Sequence, residues 1–505
     1  MIGAGHQRWR SPGDREVDLS AATIYSLHCP SLCELRPWLL AHGEPEAEPG
    51  AYQQVLVRLG QRHEASHLAE LGDVSDLSEG TFAERIGRTR ELIELGERIL
   101  YQPVLQSTIP IDGADVRVIG IPDFLIRDGA AYRVRDCKLS LHADEEHHPE
   151  ILRQLELYGW LFEQTVGTLP IALEVVLGDS SIIEVPYDGG DRALHALQEI
   201  RRTTARDAPP YSPVGWSKCQ ACGFRKRCWT EAENRSDVAL VYGVDQGLVR
   251  ALRHEGAATP GHLLDRFDKT TLAAFTRPWG NRSQRVGRKA GRILEQARAT
   301  ASNSMTVLFP PALPVADHYV MFDLEGVPPQ LDELDKVYLW GTQVFGADPG
   351  EYQAAVAGFG PDGDRRGWLD FLEQSGAIFD ACGDIPFIHW HHYETTKIRA
   401  YMERHGDDSG MARRVLRNCV DLLPITRDAV VLPDPSYSLK VVEQRADYRR
   451  TLDEYGGDWS IARYIEAVET DDESARDAIM QEILDYNRED LEATWAVMEW
   501  LRSLA

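Results

Sequence analysis

"IPDFLIRDGAAYRVRDCKLS", residues 121–140, decides how the N-terminal half folds. Asp123 follows an apolar Ile-Pro, a short run leads to Asp128-Gly129, and an apolar-alternating run then ends in Asp136-Cys137-Lys138. Strand side chains alternate faces, so Asp136 and Lys138 share one side and Cys137 takes the other. A hairpin around Asp128 and Gly129 brings Asp123, at the start of the preceding strand, beside them. Two carboxylates next to one ammonium can hold a hard divalent cation, orient water and balance phosphate charge. A surface Asp–Lys pair is common and worth little, so the stretch decides nothing by itself.

Other signals flank it in order. In "RLGQRHEASHL", residues 58–68, His63 follows Gly60 by three places on a helical pattern, where its imidazole could join the same metal. In "ILRQLELYGWLF", residues 151–162, Gln154 and Tyr158 stand at i and i+4 on one helix face. "SKCQACGFRKRCW", residues 217–229, sets Cys219, Cys222 and Cys228 in a C-x2-C-x5-C turn whose thiolates converge. Zinc and an iron–sulfur cluster both accept four thiolates, and spacing does not choose between them.

The ordered set Gly60-x-x-His63, Ile-Pro-Asp123, Asp136-x-Lys138, Gln154-x-x-x-Tyr158 and the cysteine turn resembles the RecB-type PD-(D/E)xK nucleases. It is most similar to their iron–sulfur branch, which includes the CRISPR-associated RecB-like exonucleases. The resemblance covers about the first half of the chain. It implies catalytic roles for Asp123, Asp136, Lys138, Gln154 and Tyr158, with a divalent ion held by His63, Asp123 and Asp136. It also implies a 4Fe-4S cluster in which one N-terminal cysteine joins Cys219, Cys222 and Cys228 like a clasp. "HCPSLCELRPWLL", residues 28–40, offers two candidates for that cysteine; Cys33 is favoured and Cys29 is the alternative. Cys137, Cys382 and Cys419 read as small buried hydrophobes.

Residues 236–264 form a run of short helices with glycine turns, a pattern resembling helix-hairpin-helix modules. "RPWGNRSQRVGRKAGRILEQARA", residues 277–299, then gathers Arg277, Arg282, Arg285, Arg288, Lys289 and Arg292. Within it Arg282, Arg285, Arg288 and Lys289 are the expected nucleic-acid contacts. After the proline-rich "LFPPALPVAD", the strand in "HYVMFDLEGVP", residues 318–328, projects Asp323 and Glu325 to one side. "ILDYNREDLEATWAVMEWL", residues 483–501, is an amphipathic helix with Tyr486 and Asp490 at i and i+4. This half resembles the tyrosine-bearing DEDD branch of RNase H-like 3′–5′ exonucleases. The resemblance implies two-metal hydrolysis on Asp323, Glu325, Glu394 and Asp490, with Tyr486 orienting the nucleophile. Trp390-x-x-x-Glu394 departs from the usual Asn-x-x-x-Asp, and Asp421 in "NCVDLLPI" is the runner-up ligand.

The whole chain limits what these motifs can mean. At 505 residues it has length for several domains, and its formal charge of −26 excludes a general nucleic-acid coat without excluding a local basic groove. No long uncharged apolar run or secretory leader is present, so the expectation is cytoplasmic, with no membrane partner. No G-x-x-x-x-G-K-[ST] occurs, so a duplex substrate would need a separate helicase.

The fold class expected is α/β. A PD-(D/E)xK domain over 1–235 precedes a helical connector over 236–305 and an RNase H-like domain over 306–505. The function expected is a nuclease with two sites and Mg²⁺ or Mn²⁺, acting as an exonuclease on DNA with single-stranded ends, in repair or foreign-DNA processing. The alternatives are a binding scaffold with silent sites and a CRISPR adaptation-type trimming factor.

Overall fold

The turn at Asp128-Gly129 folds as the sequence dictates. Strand Phe124–Asp128 pairs antiparallel with Ala131–Cys137, Phe124 opposite Arg135, and Gly129 takes the left-handed φ of +64° that the tight turn requires. The computed structural model describes residues 18–28, 33–279, 282–328, 335–452 and 456–504. Cys29 and the N-terminal lead-in lie outside the described residues. The chain separates into two compact units, Met1–Ser212 with Lys218–Arg225, and Pro213–Ser217 with Lys226–Ala505.

In the first unit the hairpin sits mid-sheet. A six-stranded sheet runs in the order Ser75–Asp76, Ile99–Tyr101, Phe124–Asp128, Ala131–Cys137, Leu173–Val176 and Ile182–Val185. Ala131–Cys137 and Leu173–Val176 are parallel, so a crossover must join them, and it contains the helix Pro149–Val166. That helix buries Leu152, Leu155, Leu157, Leu161 and Phe162 in the same core as Leu125, Val134 and Leu173. Gly120 lets it approach: a Cβ there would lie 2.6 Å from Leu161 and 2.7 Å from Tyr158.

The second unit holds a five-stranded sheet, ordered Gln353–Val356, Lys336–Gly346, His318–Val327, Phe387–His389 and Cys419–Asp421. The first three strands are antiparallel and the last two join in parallel. Strand periodicity divides the sides of His318–Val327. Val320, Phe322 and Leu324 enter a core with Trp340, Trp368 and Phe371, while Tyr319 and Met321 pack with Leu491, Val497 and Met498 of the helix Glu473–Ser503. Asp323 and Glu325 continue this second side, toward the helix that carries Asp490.

Residues 236–305 contain the helices Gln246–His254, Pro260–Arg266, Lys269–Ala274 and Ala290–Ser302; Asp245, Thr259 and Asp268 cap the first three. The basic stretch also holds a β-hairpin, Thr276–Trp279 with Arg282–Arg285, which charge alone does not reveal. The proline-rich segment 308–317 has neither helix nor strand.

Candidate active sites

The hairpin register sets Asp123 and Asp136 side by side, both buried, and the Lys138 ammonium pairs with the Asp136 carboxylate. Asp123 is held on both oxygens: Oδ2 accepts from the Cys137 N–H at 2.7 Å, and Oδ1 from Gln102 Nε2 at 3.0 Å. Burial, with the charges of Asp136 and Glu64, pushes the Asp123 carboxyl well above its ordinary pKa. Burial works to lower the Lys138 ammonium, but Asp136 and Asp123 override it and its pKa stands above the usual lysine value. Cys137 takes the opposite side, in an apolar cluster with Ile99, Phe124 and Val176.

The flanking residues converge here in different ways. Gln154 Nε2 donates to the Tyr158 hydroxyl at 2.7 Å, and Tyr158 is buried near enough to Asp136 that its phenol, already raised by burial, is raised further. His63, on the helix Ala51–Leu71, places Nε2 at 3.3 Å from the Val176 carbonyl, which also accepts from the Lys138 N–H at 2.9 Å.

Sequence reasoning missed Glu64 and Gln102. Glu64 is buried, accepts from Tyr101 at 2.9 Å and Gln102 at 2.6 Å, and is raised in pKa by burial and then, beyond those bonds, by Asp136. Gln102 bridges Glu64 and Asp123 from a left-handed backbone, φ +53°, a conformation a non-glycine residue holds only where its surroundings enforce it. The available signal was the face shared by Gly60, His63, Glu64 and His67 on one helix.

Residues 218–225 of the cysteine turn pack on the N-terminal segment of the same unit. Arg36 pairs with Glu46 at 3.0 Å, the Ala47 N–H reaches the Gly223 carbonyl at 3.4 Å, and a Cβ at Gly223 would lie 2.4 Å from Glu46 Cγ. Burial pushes the Cys222 thiol up; Arg36 opposes that and Cys33 adds to it, which sets Cys33 and Cys222 within electrostatic reach. Cys219 is buried, and Cys228 lies on the helix Arg225–Asn234.

In the second unit Asp323, Glu325 and Asp490 bring carboxylate oxygens within 4.8 Å of one another. Burial, then Asp490 and Glu325, raises Asp323 well above its ordinary pKa; burial, then Asp490, pushes Glu325 up to about 8. Such mutual repulsion in a buried site fits a divalent cation, which would relieve it. Glu394 opens the helix Tyr393–His405, buried and close enough to raise Asp323, but stands outside that triplet; its Oε2 lies 3.3 Å from His389 Nδ1. Asp421 accepts from the His391 N–H at 2.9 Å and caps the helix Leu422–Ala429 through the Leu423 N–H at 3.0 Å. Cys382 and Cys419 pack against the sheet core.

Tyr486 is buried, its phenol raised by burial and by Asp490, Glu325 and Asp323; its oxygen accepts from Lys440 Nζ at 2.9 Å. Lys440, Asn487 and Arg450 are the residues the sequence reading missed. Asn487 Nδ2 donates to Asp323 Oδ2 at 2.7 Å and its Oδ1 accepts from Tyr352 at 2.9 Å, while Arg450 bridges Asp490 and Glu443, the latter at 2.8 Å. Asn487 was legible in principle, three residues before Asp490 on one helix face; Lys440 and Arg450 reach the site from distant sequence and left no spacing to read.

Arg282, Arg285, Arg288 and Lys289 are exposed. Arg277 and Arg292 are used inside the fold. Arg277 pairs with Asp245 at 2.7 Å, and Arg292 donates to the Val430 carbonyl at 2.7 Å.

Residues 39–229 match the family model of the PD-(D/E)XK nuclease superfamily, and residues 320–502 that of the RNase_H superfamily. The chain therefore carries one domain of each kind, and together they support a metal-dependent phosphodiester hydrolase as its class. No curated protein matches the chain. Among solved structures, the crystal structure of SSO0001 is 16% identical over 43% of this chain and 87% of its own, with a TM-score of 0.24, too shallow a likeness to bear on fold or function. In the described residues no helix is long and apolar enough to cross a membrane.

Proposed function

We propose that the chain is a nuclease with two active sites, an exonuclease on DNA with single-stranded ends, working in repair or foreign-DNA processing beside a separate helicase in the cytoplasm. The observation that carries this reading is that each domain gathers mutually repelling carboxylates beside a lysine: Asp123 and Asp136 with Lys138, and the Asp323, Glu325 and Asp490 triplet near Lys440. We divide the chain functionally at 235 and 305, and assign the halves to the iron–sulfur RecB-like branch and the DEDD branch. Cys33 with Cys219, Cys222 and Cys228 would hold a 4Fe-4S cluster; the packing of segment 33–47 on the cysteine turn supports a clasp of that kind.

A bound Mg²⁺ or Mn²⁺ supplies Lewis-acid activation of water and charge neutralisation at phosphate. Asp123, Asp136 and His63 would hold it in the first site, and Asp323, Glu325, Asp490 and Glu394 in the second. Lys138, kept protonated by its two acids, donates to a phosphate oxygen. Gln154 and Tyr158 position the strand end beside it. Tyr486 stays a phenol and orients the attacking water, and Lys440 fixes its oxygen from behind. Asn487 holds Asp323 toward the triplet.

The test is anaerobic cleavage of end-labelled single-stranded and duplex DNA and RNA by Lys138→Ala, Asp323→Ala and the double variant. Each single variant should retain the other site's activity and the double variant none. A double variant that cuts like the parent would overturn both assignments, and a parent that binds strands but cuts none would favour a scaffold.

A further inference from the structure

We propose that the paired strands Thr276–Trp279 and Arg282–Arg285 form a single-strand binding element, with Trp279 stacking on a nucleobase and Arg282, Arg285, Arg288 and Lys289 meeting the phosphates around it. The proposal goes beyond the cleavage sites and stands on binding alone.

Six cations crowd residues 277–292, and the structure sorts them. Arg277 is buried against Asp245, and Arg292 is anchored to backbone carbonyls. The side chains of Arg282, Arg285, Arg288 and Lys289 are exposed, and none makes an ion pair or hydrogen bond among the described residues. In a chain of net charge −26, four unneutralised cations in eight residues form a local field of the opposite sign.

The tryptophan makes the patch more than a solvated basic face. Trp279 is 56% exposed, an orientation that withholds a large apolar ring from every core. It is nonetheless held in place. The Arg277 guanidinium lies 4.5 Å from its ring centroid, and Asp245 fixes that guanidinium from the other side at 2.7 Å. Asp245 also caps the helix Gln246–His254, whose Gly247 abuts the hairpin so closely that a Cβ would lie 2.3 Å from the Pro278 carbonyl. The indole is thus presented on a braced strand. By the register Trp279↔Arg282, the first exposed arginine stands directly opposite the ring, where a phosphate flanking a stacked base would sit.

This chemistry fits a single strand. Unpaired bases offer ring faces to an aromatic residue, whereas a duplex hides them and an acidic peptide has none. Deoxyribose and ribose strands share it, so both are probed.

The experiment is fluorescence anisotropy in EDTA, where nothing is cut, with labelled oligothymidylate, oligouridylate, a duplex of equal length and polyglutamate. Trp279→Ala should weaken both single strands about five- to a hundred-fold, with duplex and polyglutamate unchanged, while Trp279→Phe stays within about threefold of the parent. Arg282→Gln with Arg285→Gln should make the salt slope shallower by about 1.4, roughly 0.7 for each phosphate no longer neutralised. Unchanged single-strand binding in Trp279→Ala, with unchanged melting, overturns the proposal, as does an equal loss on polyglutamate, which would mark a protein-binding patch. A parent that binds strands through this hairpin but cuts none retains the proposal and removes the nuclease reading; normal cutting with hairpin-independent binding does the reverse.

Discussion

Replacing Gly341 with Ala tests how the second site holds its first acid. Gly341 lies opposite Asp323 in the sheet, and a Cβ built on it would fall 1.7 Å from Asn487 Oδ1 and 2.8 Å from Asn487 Cγ. Asn487 is fully buried and short, so the methyl can be accommodated only by turning its amide away from both partners, Asp323 at 2.7 Å and Tyr352 at 2.9 Å. A hydrogen bond to a charged group contributes about 1.5–3 kcal/mol and a neutral one about 0.5–1.5, so the loss is roughly 2–4.5 kcal/mol. At about 2–4 °C per kcal/mol for a domain of this size, the RNase H-like unit should melt roughly 4–18 °C lower. Differential scanning calorimetry reads that shift, and 3′-end cleavage in a Lys138→Ala background reads the displacement of Asp323. The same change made in Asn487→Ala, where the obstructing amide is gone, should be much milder. If Gly341→Ala melts within about 1 °C of the parent and cuts normally, Asn487 does not position Asp323.

Four other outcomes are expected. Lys138→Ala should lower first-site cleavage roughly 10²–10³-fold while strand affinity changes little, read by single-turnover rates beside anisotropy. Purified protein should be brown and carry iron and labile sulfide, and Cys222→Ser should lose both along with protease resistance of the N-terminal domain; stoichiometric zinc without iron would sink the cluster assignment. Glu325 is protonated more readily in the folded chain than in the unfolded one, so the metal-free protein should lose stability as pH rises from the ordinary carboxyl range to about 8 and level off above it, and Glu325→Gln should flatten that loss in melting curves recorded in chelator. Glu394→Asp should leave second-site activity equal or higher; loss of activity in Asp421→Ala, with Glu394→Ala unaffected, would show that the ligand is Asp421.

What the sequence disclosed follows the range of the physics involved. Period-two alternation placed Asp136 with Lys138 and Asp323 with Glu325, and i, i+4 spacing placed Gln154 with Tyr158 and Tyr486 with Asp490, because each relation is fixed within one element. Gln102 reaches Asp123 across 21 residues of chain and Glu64 across 38, and Lys440 reaches Tyr486 across 46. Those contacts depend on how elements pack, which no local period encodes. The hairpin at 276–285 was hidden for another reason: its strands are exposed on nearly every position, so no apolar alternation announces them.

The two candidate sites treat their crowded acids differently, and this bears on how each would take a cation. In the first site Asp123 is bonded on both oxygens and Asp136 is bonded to Lys138, so a ligand must share or replace hydrogen bonds already made. In the second site Asp323, Glu325 and Asp490 face one another with raised proton affinity on two of the three, and Arg450 draws on Asp490 from the side of Glu443. A divalent ion there displaces protons from two carboxyls of raised proton affinity, Asp323 and Glu325, where the first site's proposed ligands offer one, Asp123. Metal affinity of the second site should therefore climb with pH more steeply than that of the first. Mn²⁺ titrations of Asp323→Ala and Asp136→Ala proteins across the range around pH 8 separate the two slopes, and equal slopes would refute the distinction.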